Sequence, residues 1–354
     1  MKLSQFHYTG NQLYRQFQNE IDLGKKILFI INFLGKAGYI IPVEFASELG
    51  VFYKTPKESN MNFVKDCPNE QSEIKFEKFP VPFSEYFSAF EKVQSAEKNG
   101  QTYLLNLTFP CTIKTNATLW ELFNKANSPF KLFLDNQFAV FSPEPFLKII
   151  DGKISSFPMK GTSWFSNNLN PSPDKNNKIT REEILLKYES ALEKILNNSK
   201  EIAEHATMVD LIRNDLNLIA KKVFVKKYRY PETIRTKNKN LIQLSTQITG
   251  QLPLNYSFNL ANILKSQLPA GSISGAPKKR TLALIKEIET YDRGYYTGVF
   301  GISDGKNLES AVMIRFIENQ NGKFIFKSGG GITSQSVAED EYEELIQKIN
   351  IPTK

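Results

Sequence analysis

The sequence is poor in the residues that staple or metallate small folds. Its 354 positions hold only two cysteines, Cys67 and Cys111, and two histidines, His7 and His205. Two isolated thiols cannot build a disulfide framework, and so few histidines cannot assemble a zinc-type cluster. Any metal must therefore sit on oxygen ligands. Long apolar runs are missing too: the longest near the start, Ile27 to Leu34, falls far short of the roughly 18 residues that suggest a membrane span. Met1 to Asp22 is polar and lacks an apolar segment with a small-residue cleavage site, so it does not read as a signal peptide and a cytoplasmic location is expected. No internal repeat is visible, and no linker cleanly divides the chain.

What is present describes a folded protein with an aromatic-rich core. Hydrophobic residues make up 41% and charged residues 23%, with 27 Phe and 14 Tyr. The net charge is +8, and Lys221, Lys222, Lys226, Lys227 and Arg229 form a local basic cluster. Elsewhere basic residues are interleaved with acids, which describes a solvated lysine-rich surface rather than a nucleic-acid footprint. The same excess favours arrival of a small dianionic substrate.

Read for periodicity, the first 99 residues give strands and turns with one helix over Ser84 to Lys98, and no chemistry. Thr102 to Phe109 reads as a strand. From Phe130 to Pro158 hairpins follow, with turns at Asp135-Asn136 and Asp151-Gly152. Lys160 is expected to end a strand, and Ser163 to Lys178, rich in Ser, Asn, Pro and Lys, to form a mobile loop that could serve as a lid. Thr180 opens an amphipathic helix, Asn197-Asn198-Ser199 interrupts it, and a second helix carries Glu201 and Glu204. Leu260 to Gln267 is helical, and Pro277 suits the first position of a helix running to Glu289. Gly298 to Ile302, Ser310 to Ile317 and Lys323 to Lys327 make a strand meander. Ser336 with Glu339 forms a capping-box pattern that should start a last helix ending near Asn350.

Glu201 and Glu204 share one helix face, and so do Glu341, Glu344 and Lys348. Taken alone each set reads as a solvated face, yet two such carboxylate pairs can face one magnesium ion. Gly329-Gly330-Gly331 reads as a turn whose backbone could approach an anion; it lacks the ending of a phosphate-binding loop. Lys160 sits at a shaped turn after Pro158, and Glu144 ends a hairpin, where burial would suit it to acid–base work.

In order along the chain stand Ser142-Pro143-Glu144, Pro158-Met159-Lys160-Gly161-Thr162, Lys200 to His205, Val209 to Leu216, Pro269 to Lys278, Arg293 to Gly298, Gly329 to Ile332 and Glu341 to Glu344. Together these blocks resemble the chorismate-binding enzyme family, which contains anthranilate, aminodeoxychorismate, isochorismate and salicylate synthases. The resemblance spans roughly Gly100 to Lys348. It implies an α+β fold like that of anthranilate synthase component I, with large, mainly antiparallel sheets in two layers flanked by helices. Residues 1–99 would be a shortened N-terminal part of that fold and 100–350 the catalytic region.

For the site, the resemblance implies Glu204 and Glu344 as direct Mg2+ ligands with Glu201 and Glu341 near the metal shell. Chorismate is to be held by Arg315, Tyr296, Lys348 and the backbone around Gly330 and Gly331, with Thr162 and Gly275 lining the pocket. Lysine at position 160 matches the aminodeoxychorismate synthases, where anthranilate synthases typically have Ala. It implies a nucleophilic Lys160, with Glu144 as general acid and base, a 4-amino product leading to 4-aminobenzoate and folate, and ammonia from a separate glutamine amidotransferase subunit. Other chorismate chemistry, such as anthranilate synthesis, is the alternative within the family; a non-catalytic binding subunit is the alternative outside it. Leu104 stands where many relatives have Gln or Lys, which argues against water-activating chemistry. Gln243 replaces a common His, and the absence of the motif associated with tryptophan feedback implies no such regulation.

Overall fold

The computed structural model describes residues 1–61, 74–166, 181–235 and 239–352. Its first elements are β1 (His7–Thr9), α1 (Gly10–Asp22), β2 (Ile27–Ile31), β3 (Ala37–Pro42), β4 (Val51–Lys54) and β5 (Phe76–Phe79), followed by α2 (Phe83–Lys98), β6 (Leu104–Thr115) and α3 (Leu119–Lys125). Two hairpins follow, β7 (Phe130–Leu134) with β8 (Phe138–Ser142) and β9 (Pro145–Ile150) with β10 (Lys153–Ser156). Asp135, Asn136 and Asp151 take positive φ at 40°, 55° and 49°, the turn conformation that short polar side chains tolerate.

Next come β11 (Met159–Ser166), α4 (Arg181–Leu196), α5 (Ser199–Asn217), β12 (Lys221–Arg235), β13 (Lys239–Gln251), α6 (Leu260–Ser266), β14 (Gly275–Ala276) and α7 (Lys278–Ile288). The chain ends with β15 (Val299–Ser303), β16 (Leu308–Val312), β17 (Phe316–Gln320), β18 (Lys323–Ile332) and α8 (Ala338–Lys348). Among the described residues no helix is long and apolar enough to cross a membrane.

These strands form two antiparallel sheets, of ten and eight strands among the described residues. The larger runs β1-β3-β2-β15-β16-β9-β10-β13-β11, with β12 also on β13; the smaller runs β14-β6-β18-β17-β8-β7-β4, with β5 on β6. Strands β2, β7 and β8 are buried along their whole length. Their side chains alternate between two cores: Ile27, Phe29 and Ile31 join one cluster, Leu28 and Ile30 the other. A sheet covered on both faces accounts for the continuous apolar run Ile-Leu-Phe-Ile-Ile.

The structure differs from the sequence expectations at several points. Helix α1 was not anticipated, although Leu13, Tyr14, Phe17 and Ile21 lie buried along one face. The expected strand Ser310 to Ile317 is broken at Met313–Arg315 into β16 and β17, with Arg315 at φ 54°. Gly329, Gly330 and Gly331 lie inside β18, paired with Thr108, Leu107 and Asn106, not in a turn. At the last helix Ser336 makes no capping box; α8 begins at Ala338, and the Ser336 hydroxyl donates to Glu341 Oε1 at 2.8 Å. Of the expected loop after Lys160, residues up to Ser166 belong to β11, and 167–180 lie outside the described residues.

Candidate active site

Lys160 lies near the start of a strand, not at its end. Met159 pairs with Ser245 and Thr162 with Gln243, so the register shifts across Lys160 and Gly161 and leaves them in a bulge. Gly161 takes φ 90°, which a β-carbon would resist. The bulge turns Lys160 into a cavity of about 160 Å3, where its Nζ stands 2.6 Å from Glu204 Oε2. Burial alone draws the amine's pKa down; the carboxylates of Glu204, Glu344 and Glu201 outweigh it, and the net direction is up. Behind the bulge, His205 is fully buried, with Nε2 2.5 Å from Thr246 Oγ1. Burial and then the Arg229 charge pull its imidazole down to about 4, so the ring is neutral.

Two helices deliver the carboxylates. Asn198 caps α5, its side chain accepting the Glu201 N–H at 3.1 Å. Glu201 and Glu204 then project from one face, while α8 presents Glu341 and Glu344. Glu204 and Glu341 are almost wholly buried, which separates them from ordinary surface glutamates. Lys200 spans the two helices, 2.5 Å from Glu341 Oε1 and 3.9 Å from Glu204 Oε1. Lys348 Nζ lies 2.6 Å from Glu344 Oε1 and draws that carboxyl down to about 2, against the effect of burial. A β-carbon on Gly330 would stand 3.5 Å from Glu341 Oε2 and 3.8 Å from Glu344 Oε1, so glycine keeps open the space where these oxygens converge.

That space tests whether Mg2+ fits. Glu201 Oε2, Glu204 Oε2 and Glu341 Oε2 are buried and make no hydrogen bond, Glu204 Oε2 having only its ion pair with Lys160. Among the described residues no three acidic, His or Cys side chains close on a point as a complete cage. Mg2+ usually takes one or two carboxylates and fills its octahedron with water and substrate oxygens, so the donor set suits it.

The opposite wall suits an anion. Arg315 lines it, held by its Nη1 donating to the Lys348 carbonyl; burial lowers its pKa to about 10, which leaves it charged at neutral pH. Burial raises the Tyr296 phenol, which therefore keeps its proton as a donor. Lys327, from β18, also lines the cavity, but its ammonium is taken up by Glu318 at 3.1 Å and by the Arg293 carbonyl at 3.1 Å; sequence reasoning missed it because its neighbours read as an ordinary strand. Lys348, Gly330 and Gly331 share this lining.

Glu144 stands between β8 and β9 on a third side, 8 % exposed, accepting the Ser272 hydroxyl at 2.7 Å. Burial pushes its carboxyl up to about 7, partly offset by Ser272 and Lys348. Ser272 had no assigned role in the sequence, since its partner is 128 positions away. Lys200 could have been noticed by its place four residues before Glu204.

Two expected pocket residues stand differently. Gly275 is not in the cavity lining; it pairs with Leu105 at φ 131°, and a β-carbon there would run into the Leu104 carbonyl, so its task is close backbone packing. The side chain of Thr162 lies outside the described set. Leu104 does line the cavity, within 2.9 Å of where a Gly331 β-carbon would be, and Gln243 lines it with its Oε1 unpaired. Arg293, in the block Arg293 to Gly298, is buried beneath the site. It pairs with Glu289 at 2.6 Å and donates to the Asn106 and Ile273 carbonyls, tying α7, β6 and the turn that carries Ser272 together.

Comparison with known proteins agrees with this architecture. A family model described as chorismate binding enzyme matches residues 56–354. An uncharacterised PabA-like protein of Haemophilus influenzae is 43% identical over 326 residues, covering 92% of this chain and 91% of its own. Aminodeoxychorismate synthase component 1 of Salmonella typhimurium is 31% identical over 275 residues, covering 75% of this chain but 56% of its own length. Anthranilate synthase component I of Streptococcus pneumoniae superposes with a TM-score of 0.65 at 20% identity, over 97% of this chain and 79% of that one, and shares the two-sheet α+β fold.

Proposed function

The chain belongs to the chorismate-binding enzyme family, and from that premise we propose that it aminates chorismate at C4, giving 4-amino-4-deoxychorismate, with Lys160 as nucleophile. The observation that carries this reading is the Lys160 amine, held in a bulge inside the cavity, 2.6 Å from Glu204 Oε2. A lysine attacks carbon only as the free amine. The surrounding carboxylates hold the amine's proton on, so Lys160 must first give it to solvent, a loss that a cation bound on those carboxylates would ease; the free amine then forms a C–N bond at C2 of chorismate as the C4 hydroxyl departs. Glu144, half protonated near pH 7, gives the departing oxygen its proton, and water leaves. Ammonia then bonds to C4, Lys160 is expelled from C2, and the Glu144 carboxylate takes up a proton.

Arg315, Tyr296 and Lys348 orient the substrate carboxylates through charge and hydrogen bonds. Mg2+ on Glu204 and Glu344, with Glu201 and Glu341 beside them, supplies Lewis-acid polarisation when bound. Ammonia comes from a glutamine amidotransferase subunit. In support, Cys111, the one cysteine among the described residues, is buried with its thiol pKa raised by that burial, the opposite of an activated nucleophile. The product serves 4-aminobenzoate and folate synthesis.

Incubation with chorismate, Mg2+ and ammonium salt, followed by mass identification, is expected to yield 4-amino-4-deoxychorismate. Anthranilate as the product would overturn the C4 assignment, and an undiminished rate in a Lys160→Ala variant would remove Lys160 from the mechanism.

A further inference from the structure

One buried histidine has no part in the chemistry above. His205 directly follows Glu204 on α5 and is fully buried, behind the cavity rather than in its lining. Two bulges meet there across β13. On one side Lys160 and Gly161 stand opposite Leu244, between the pairs Met159–Ser245 and Thr162–Gln243. On the other, Tyr228 and Arg229 stand opposite Thr246, between Lys227–Gln247 and Tyr230–Ser245. A bulge takes backbone groups out of the ladder, and when buried they need other partners. Thr246, also fully buried, supplies some of them: its Oγ1 accepts the Arg229 N–H at 3.0 Å, and its own N–H donates to the Pro158 carbonyl at 3.0 Å. The Arg229 guanidinium in turn donates to the Ile195 and Leu196 carbonyls at 2.8 and 3.0 Å, which ties the end of α4 to the same point.

The donors and acceptors fix which way the histidine faces. Thr246 Oγ1 already accepts from Arg229, so its one hydrogen goes to His205 Nε2, 2.5 Å away. The neutral imidazole then carries its own hydrogen on Nδ1. That nitrogen is buried without a full hydrogen bond among the described residues, and the backbone acceptor that the ring faces is the Lys160 carbonyl. The opposite order would bury Nδ1 as an acceptor with no donor, which costs more. We propose that His205 is a positioning residue for Lys160: α5 grips that lysine at both ends, Glu204 at the amine and His205, steadied by Thr246, at the carbonyl. The inference rests on the reading of Lys160 as nucleophile. Glu204 alone, 2.6 Å from Nζ, leaves the main chain of the bulge to swing. A misplacement of about 1 Å can cost about a hundredfold in rate, and a bulge released from its ladder has that much play unless something behind it holds it. Two consecutive residues of one helix remove the play.

Thr246→Val keeps the shape of the side chain and removes its hydroxyl, whereas Thr246→Ser keeps the hydroxyl. In steady-state kinetics kcat should fall about 30-fold in Thr246→Val, with KM for chorismate within about twofold of the parent, and Thr246→Ser should recover most of the loss. A second readout needs no turnover: lysine labelling by an amine-reactive reagent, followed by peptide mass spectrometry. In Thr246→Val, Lys160 should be labelled about threefold faster as it loosens from Glu204, while Lys200 and Lys348 keep the parent rates. If Thr246→Val does not fold, His205→Asn and His205→Gln decide. The Asn amide can take the place of Nδ1 and the Gln amide that of Nε2, so Asn should retain about tenfold more kcat than Gln. An unchanged kcat in folded Thr246→Val overturns the proposal, as does an equal loss in Thr246→Val and Thr246→Ser, or faster labelling of all three lysines, which signifies general loosening. An undiminished rate in Lys160→Ala sinks the nucleophile reading instead; an inactive Lys160→Ala with unchanged Lys160 labelling in Thr246→Val sinks the role of His205 alone.

Discussion

Two glutamates on different walls of one cavity are driven in opposite directions. Glu344, on α8, has the Lys348 ammonium 2.6 Å away and its carboxyl is drawn down to about 2. Glu144, in the turn between β8 and β9, accepts the neutral Ser272 hydroxyl, and burial pushes it up to about 7 against that bond and the weaker pull of Lys348. The neighbour, not the residue type, sets the role: a permanent anion suits holding a cation, and a carboxyl poised near neutrality suits moving a proton. Lys160 lies on the side of Glu204, Glu344 and Glu201, whose combined charge keeps the proton on its amine despite burial.

The strongest way to break this contrast is to remove the lysine. Lys160→Ala is expected to lower kcat for C4 amination on the order of a thousandfold or more, measured by product chromatography, while substrate binding persists through Arg315 and Lys348. Next, Glu144→Gln keeps the Ser272 contact but cannot exchange a proton. Its kcat should fall about 10²- to 10³-fold, and the loss should not be rescued by raising chorismate.

A smaller effect sharpens the same point through pH. If Glu144 must be protonated for the hydroxyl to leave, kcat of the parent should decline as pH rises through about 7. In the stability–pH profile, the folded state holds the Glu144 proton up to about 7 whereas the unfolded chain loses it near 4.3, so stability falls as pH rises through that window. Glu144→Gln should therefore be more stable than the parent at pH 8, by on the order of 1 kcal/mol, and equal to it at pH 4; thermal melts at the two pH values check this. Smallest is the cap. Asn198→Ala should cost about 1 kcal/mol and lower Tm by a few degrees, with kcat reduced only as far as the start of α5 frays beside Glu201.

Local signals carried much of the fold. The breaks between α4 and α5 and the hairpin turns at Asp135-Asn136 and Asp151-Gly152 were legible because capping and positive φ are written in single residues. What was not legible depends on distant partners. Gly329 is in a strand because β6 comes so close that a β-carbon would collide with the Leu107 carbonyl, and nothing near Gly329 in the sequence shows that. Ser336 abandons its capping box for Glu341 because Lys200 and the buried end of α5 place that carboxylate within reach. For the candidate site, helical spacing showed that Glu201 pairs with Glu204 and Glu341 with Glu344. It could not show that Glu204 and Glu341 are buried, nor that Ser272 and Lys327 join them.

Strand β2 lies in the middle of the ten-stranded sheet, flanked by β3 and by β15, with Ile31 paired to Val299. During synthesis this run of Ile-Leu-Phe-Ile-Ile leaves the ribosome long before its neighbour β15, which starts 268 residues beyond Ile31, at Val299. At roughly 5–20 residues per second the wait lasts tens of seconds. Meanwhile one edge of a fully apolar strand has no partner, which is the sequence signature of intermolecular pairing. Yield of soluble protein should thus depend on chaperone supply and growth temperature more than the finished molecule's stability would suggest.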